Sequence, residues 1–344
     1  MKKLLSSFSL IFILFFLVLI FFVSCKKTED PIKFPQGTFP DSTIALNSIN
    51  SGFDDLDLTN IDLVIDESDI ESYLLHGDLF ALLSTSRENS GQQYDLIQCM
   101  ITFEWDQTDG TFTLETNTDG DAFIEELIDA ANTPMDDLGP YRRFSSIDGY
   151  EYLILSSENA SGNLDLFYLM NMPVTGSFPA PVMGPYPVNL INTVNNDSYF
   201  SFDTSLDSAY FSSDREGNYD IYLNIRPPET APNIWFDSDF EAAQKVDSLN
   251  SNAEDKCPMV FKRIMVFSSN REGGMGGYDL YYSKFENGKW NSPVNFGPGI
   301  NTSHDEYRPV IGTHADFTNH FIIFSSNRPG NSDSFNLYFT GIDI

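Results

Sequence analysis

Phe211-Ser212-Ser213-Asp214-Arg215-Glu216-Gly217-Asn218-Tyr219-Asp220-Ile221-Tyr222 sets the fold of this chain. An apolar residue leads into two small hydroxyls, a polar turn containing glycine follows, and an aromatic-acid-aliphatic run closes the unit. Branched and aromatic residues suit a pleated, half-buried surface, while Gly, Asn and Asp accept tight-turn backbone, so the unit reads as a β-hairpin. It recurs. The hydroxyl pairs are Ser84-Thr85, Ser156-Ser157, Ser212-Ser213, Ser268-Ser269 and Ser325-Ser326, and their second members lie 72, 56, 56 and 57 residues apart. The second arms begin at Tyr94-Asp95, Leu164-Asp165, Tyr219-Asp220, Tyr278-Asp279 and Phe335-Asn336.

A lone hairpin cannot bury its apolar face, so the copies must stack. A period near 56 residues holds four short strands and their loops, the blade of a propeller. No long amphipathic helical pattern recurs between the hairpins, which argues against βαβ units. One candidate helix, Ala122–Ala131, falls in the segment that lengthens the first step. The expectation is an all-β, five-bladed β-propeller over residues 43–344, with six blades if residues 53–65 form a degenerate hairpin. The last copy ends six residues after Tyr338, so its blade lacks an outer strand and would expose an unpaired edge. An N-terminal strand, from residues 43–46 or 60–65, should close it.

Phe267-Ser268-Ser269-Asn270-Arg271 with Gly277-Tyr278-Asp279-Leu280-Tyr281, together with the quoted unit, resemble the WD40-like repeats of the TolB-type propeller, common in envelope lipoproteins of the Bacteroidota. Trp290, Pro293 and the linkers Asn132-Thr133, Asn192-Thr193 and Asn301-Thr302 fit the same pattern. The resemblance implies a fold and a compartment and carries no catalytic residues.

Residues 1–24 read as a signal peptide: Lys2 and Lys3 precede an apolar run over residues 8–23, too short to span a bilayer. Cys25 after Ser24 resembles the lipobox of bacterial lipoproteins, which makes Cys25 the lipidation site and the outer membrane the expected location, on the periplasmic or the cell-surface side. Pro31, Pro35 and Pro40 suggest a flexible tether over residues 25–42. Without Lys2 and Lys3 the formal charge moves from -31 to -33, 17 basic against 50 acidic residues. Such a surface repels phosphate backbones and excludes nucleic acid as a partner, while envelope proteins, neutral glycans and cations stay open. Nothing in the sequence calls for more than a monomer. Cys99 and Cys257 read as two separate buried thiols.

Two sets of repeated acids stand out. Asp95, Asp165, Asp220, Asp279 and the equivalent Asn336 should fix each hairpin by accepting hydrogen bonds from turn amides and serine hydroxyls, a structural role. Asp69, Asp137, Asp197, Asp255 and Glu306 each precede an inner strand and would form an acidic ring near one mouth of the channel. That ring either holds a cation or polar ligand, calcium being the metal such carboxylates suit, or caps strands and bridges blades. Glu115, Asn117, Asp119, Gly120 and Glu126 fit a calcium loop in part, but on a strand-like stretch. His76, His304, His314 and His320 lack metal-ligand spacing, no nucleophile elbow occurs, and no other cofactor is indicated. The sequence therefore points to a non-catalytic binding or scaffold module presenting a propeller face to a protein or glycan. The alternative is a glycan-degrading enzyme, a glycosidase or lyase, with an acidic central funnel.

Overall fold

Each small-hydroxyl pair lies at or next to the end of the second strand of a four- or five-stranded sheet, and five such sheets stand around one axis. The computed structural model describes residues 31–344 apart from 60–61, 66–72, 119, 121, 172–180, 240–241 and 331–333. Blade 1 comprises β2 (Asp55–Leu58), β4 (Leu74–Thr85), β5 (Asp95–Asp106) and β6 (Phe112–Asn117), with β3 (Asp62–Ile65) pairing β4 beside β2. Blade 2 is β7 (Asp137–Phe144), β8 (Glu151–Glu158), β9 (Leu164–Asn171) and β10 (Met183–Pro187). Blade 3 is β11 (Asp197–Phe202), β12 (Ser208–Ser213), β13 (Asp220–Ile225) and β14 (Gln244–Lys245). Blade 4 is β15 (Asp255–Phe261), β16 (Ile264–Ser269) and β17 (Asp279–Glu286), flanked by β18 (Lys289–Trp290) and β19 (Val294–Asn295). Blade 5 is β20 (Glu306–Thr313), β21 (His320–Ser326) and β22 (Asn336–Ile342).

The fifth blade takes its outer strand from the N-terminal region. β1 (Ile44–Ala45) pairs antiparallel with β22, Ile44 opposite Phe339 and Ala45 opposite Tyr338. Of the other candidate, residues 60–65, the described part Asp62–Ile65 pairs β4 instead, so it edges blade 1 and builds no sixth blade. The inner strand of blade 1 begins at Asp55, not after Asp69, which lies outside the described residues.

The stretch read as a flexible tether is held by backbone hydrogen bonds from residue 33 and buried at Gly37 and Phe39. Phe39 is buried, stacks on Phe317 at 4.0 Å between ring centroids, and meets Phe103, Phe112, Phe321 and Phe339 edge to face. Asn319 accepts the Phe39 N–H and donates to its carbonyl, both at 2.9 Å, and Trp105 Nε1 donates to Phe34 O. Five aromatic contacts outweigh the proline-rich composition, and the segment becomes a strap across the seam of blades 5 and 1. Cys25 lies outside the described residues.

The expected helix is present as α1 (Ala122–Ala131), and a short α2 (Pro232–Phe236) follows β13. Helix α1 packs Ile124, Leu127, Ile128 and Ala131 against Leu82, Leu96, Leu153, Leu155 and Leu169, wedging blades 1 and 2 apart. Cys99 and Cys257 are buried and unbridged.

Candidate functional site

In a propeller sheet the first and third strands start at the same end, and here that end is stitched by a motif repeated five times. Asn50-Ser51, Asn132-Thr133, Asn192-Thr193, Asn250-Ser251 and Asn301-Thr302 each precede an inner strand. Each Asn accepts the N–H and donates to the C=O of one third-strand residue: Leu337, Leu96, Leu166, Ile221 and Leu280 respectively. Four residues after each Ser or Thr comes an acid: Asp55, Asp137, Asp197, Asp255 or Glu306. All five are fully buried, and each accepts the Ser or Thr N–H four residues back at 2.6–2.7 Å.

These acids therefore cap strands and line no open ring, and Asp55 holds the position given to Asp69 in the sequence reading. Arg87, Arg215 and Arg328 reach Asp55, Asp197 and Glu306 at 2.5, 2.6 and 3.0 Å, and Arg271 pairs with Asp255. Blade 2 has Asn159 where the other hairpins carry that arginine. Burial, with no cation to offset it, pushes Asp137 up to about 6, against the weaker pull of the Thr133 and Ser157 hydrogen bonds.

The second-arm acids bond differently from expectation. Asp279 accepts turn amides from Met275 and Gly276, but Asp95 takes side-chain amides from Asn89 and Gln93, Asp165 from Asn159, and Asp220 pairs with Lys245. Asn336 donates to Ser334 O. Serine and threonine hydroxyls instead serve the inner strands: Thr85 and Ser326 donate to Asp55 and Glu306, and Ser156 and Ser212 accept the N–H groups of Tyr199 and Cys257.

Two residues beyond each capping acid the ladder slips, and the freed side chains meet on the axis. Tyr199, Cys257 and Arg308 take φ of 58°, 57° and 48° there, as does Gly139 at 60°. A Cβ on Gly139 would come within 2.8 Å of the Tyr199 ring and 3.0 Å of the Arg308 guanidinium, so only glycine leaves them room. Arg308 Nε lies 3.0 Å from Asp57 Oδ1, Asp57 Oδ2 accepts the Gly139 N–H at 2.8 Å, and the guanidinium lies 4.4 Å from the Tyr199 ring centroid. Burial raises the Asp57 carboxyl despite Arg308, raises Tyr199 and Tyr307, and pushes the Cys257 thiol up to about 12. This buried cluster blocks the axis, so the channel has a floor.

Over that floor lies a contiguous array of aromatic rings and carboxylates drawn from four blades. Tyr307 contacts Tyr199, Tyr278 and Phe335 at 6.1, 5.3 and 6.4 Å between centroids. The Lys256 ammonium sits 4.0 Å above Tyr219 and 5.2 Å from Tyr278, and pairs with Glu254 at 2.8 Å. Tyr278 donates its hydroxyl to Glu254, and Tyr94 donates to Asp54 at 2.8 Å. Asp136, Asn196, Asp305 and Asp54 also accept the N–H of Tyr94, Leu164, Tyr278 and Phe335, tying each blade to the next. Glu254, at the matching position in blade 4, instead directs its longer side chain to Lys256 and Tyr278. Burial works against its ionisation, but those two hydrogen bonds outweigh it and hold Glu254 below its ordinary value. The sequence signal for this array was the residue before each capping acid, an acid in four blades and Asn196 in blade 3, none of which was among the expected site residues.

Among the described residues no group of three His, Cys, Asp or Glu could hold a metal ion. Of the partial calcium loop, Glu115 and Asn117 lie in strand β6, Glu126 lies in α1 and Asp119 is outside the described residues.

No protein-family model matches the chain, and no curated protein matches it. Solved structures do. A thermostable family-43 glycoside hydrolase aligns over 88% of this chain and 93% of its own, at 12% identity and TM-score 0.51. An endo-arabinase from Bacteroides thetaiotaomicron aligns over 88% and 98% at 14% identity and TM-score 0.48. A putative TolB from Agrobacterium tumefaciens aligns over 77% and 87% at 10% identity and TM-score 0.36. The likeness is one of fold: the chain is a five-bladed β-propeller. It corrects the expectation of a non-catalytic binding or scaffold module, since the family-43 glycoside hydrolase shares this fold over nearly its whole length.

Proposed function

We propose that this propeller is a glycan-degrading enzyme that takes a neutral saccharide at the floored mouth of its axis. The observation that carries the reading is the array of Tyr94, Tyr219, Tyr278, Tyr307 and Phe335 interleaved with Asp54, Glu254 and Lys256. Ring faces stack on the apolar faces of sugars, and carboxylates bind hydroxyls and transfer protons. The fold shared with a family-43 glycoside hydrolase supports the same reading. A surface at -31 favours a neutral chain over an anionic polysaccharide.

Hydrolysis of a glycosidic bond needs one carboxyl to donate a proton to the leaving oxygen and another to activate water or attack the sugar. Glu254, held ionised by Lys256 and Tyr278, is assigned the second task. Asp54, which accepts the Tyr94 hydroxyl on one oxygen and the Phe335 N–H on the other, is assigned the first, taking up a proton from solvent when substrate displaces the Tyr94 hydroxyl and passing it to the leaving oxygen. Lipidation at Cys25 and an outer-membrane location complete the reading, supported by the signal-like N-terminus and by the resemblance to TolB-type propeller lipoproteins.

The test is release of reducing ends from arabinan, xylan and other neutral polysaccharides by the purified protein. Activity should fall about 100-fold or more in Glu254→Gln and Asp54→Asn with melting temperature retained. Absence of cleavage across the panel, or full activity in both variants, ends the proposal.

A further inference from the structure

The end of the propeller opposite the mouth carries a different chemistry. Third strands end here, first strands turn back here, and the N-terminal strap enters here, with Lys33 and Phe34 donating their N–H groups to Gln107 O in the β5–β6 turn. Six lysines and arginines form no ion pair among the described residues: Lys33, Arg143, Lys262, Arg263, Lys284 and Lys289. All six lie at this end, whereas each basic residue at the mouth end is paired with an acid. Four of them cluster under blade 4, in the β15–β16 turn, near the end of β17 and at the start of β18. Acids such as Asp109, Glu229 and Asp316 share this end, so the cationic surface is local.

Large apolar side chains are exposed at the same end. They are Phe34, Tyr73, Phe144, Ile147 and Ile225, the last 57% exposed, each at the strap or at a strand terminus facing away from the mouth. Aromatic and aliphatic residues beside free cations are what a protein presents to the boundary between headgroups and acyl chains. The chain also reaches this end from the apolar run over residues 8–23 and Cys25.

We infer that the strap end is a membrane-docking face, resting on a bilayer with anionic headgroups and holding the mouth outward. The cations under blade 4 meet the headgroups, and the apolar rim enters the interface. The inference is independent of the saccharide reading. It requires that the chain reach a membrane, which flotation measures separately from orientation.

Full-length protein reconstituted into phosphatidylethanolamine–phosphatidylglycerol vesicles provides the test. Cys99 and Cys257 are buried, so in a Cys25→Ser background a single added cysteine can be labelled selectively with a fluorophore. Ile147→Cys and Ile225→Cys report on the strap end, and Val194→Cys, 87% exposed in a mouth-end linker, reports on the other. Lipid-borne quencher should dim the first two about twofold or more and leave the third unchanged. Lys262→Glu with Lys284→Glu, or salt near 0.5 M, should remove at least about half of that quenching. Equal quenching at Val194, no quenching on floating vesicles, failure to float, or indifference to both charge reversal and salt would each overturn the inference. A melting temperature unchanged in every variant keeps misfolding from imitating these results.

Discussion

Arg308 and Asp57 meet on the propeller axis, Nε to Oδ1 at 3.0 Å, and join the last blade to the first. Both are buried, and the Gly139 amide of blade 2 shares the same carboxylate. Removing one partner strands a charge without water, so Arg308→Met should destabilise by about 3–5 kcal/mol in urea unfolding. Adding Asp57→Asn should recover about half of that loss, because the orphaned charge goes with it. Equal losses in the single and double variants would show that the side chains do not interact.

Asp137 makes blade 2 the pH-sensitive blade. Its folded value of about 6 lies above the ordinary 3.8, so the folded state binds this proton more tightly. The contribution to stability is therefore fully present below about pH 4 and is lost as pH rises through 6, a change of about 3 kcal/mol. Asn159→Arg restores the cation found in the four sister hairpins and should flatten this dependence in urea titrations at pH 4.5 and 7. An unchanged slope would assign the pH effect elsewhere.

Asn301 satisfies both backbone groups of Leu280 within a buried linker. Asn301→Ala leaves an N–H and a C=O without partners and should cost about 2–3 kcal/mol. Asn301→Asp keeps the acceptor for the Leu280 N–H but sets a carboxylate against Leu280 O and Asn295 Oδ1, so it should cost at least as much, as thermal unfolding will read.

Phe39 tests the strap. Its replacement by alanine empties a site ringed by five phenylalanines and should cost about 3–5 kcal/mol, with increased proteolysis of the strap ahead of the blades. A loss under about 1 kcal/mol would mean that the strap contributes little to holding the seam closed.

The blades were legible because one hairpin, written with the same residue types five times, leaves few ways to bury its face. The closing strand was legible from what blade 5 lacks after Tyr338. The first inner strand was not, because the sequence reading missed the linker at Asn50-Ser51 and passed on to Asp69. Packing of the strap was hidden for a different reason: Pro35 and Pro40 advertise flexibility, while burial of Phe39 depends on rings from two distant blades. The axis cluster was hidden too, since Asp57, Tyr199, Cys257 and Arg308 share a position without sharing a chemistry. Only the ladder slip that turns all four inward makes them neighbours.

The pairing of Ile44–Ala45 with Phe339 and Tyr338 ties the clock of synthesis to the shape of the product. A ribosome releases the N-terminal partner nearly three hundred residues before its complement exists. Until then the first residues must wait, and a chain truncated before β22 has no strand on which to latch them. Final closure thus couples distant ends of the polypeptide, the kind of non-local pairing that slows folding.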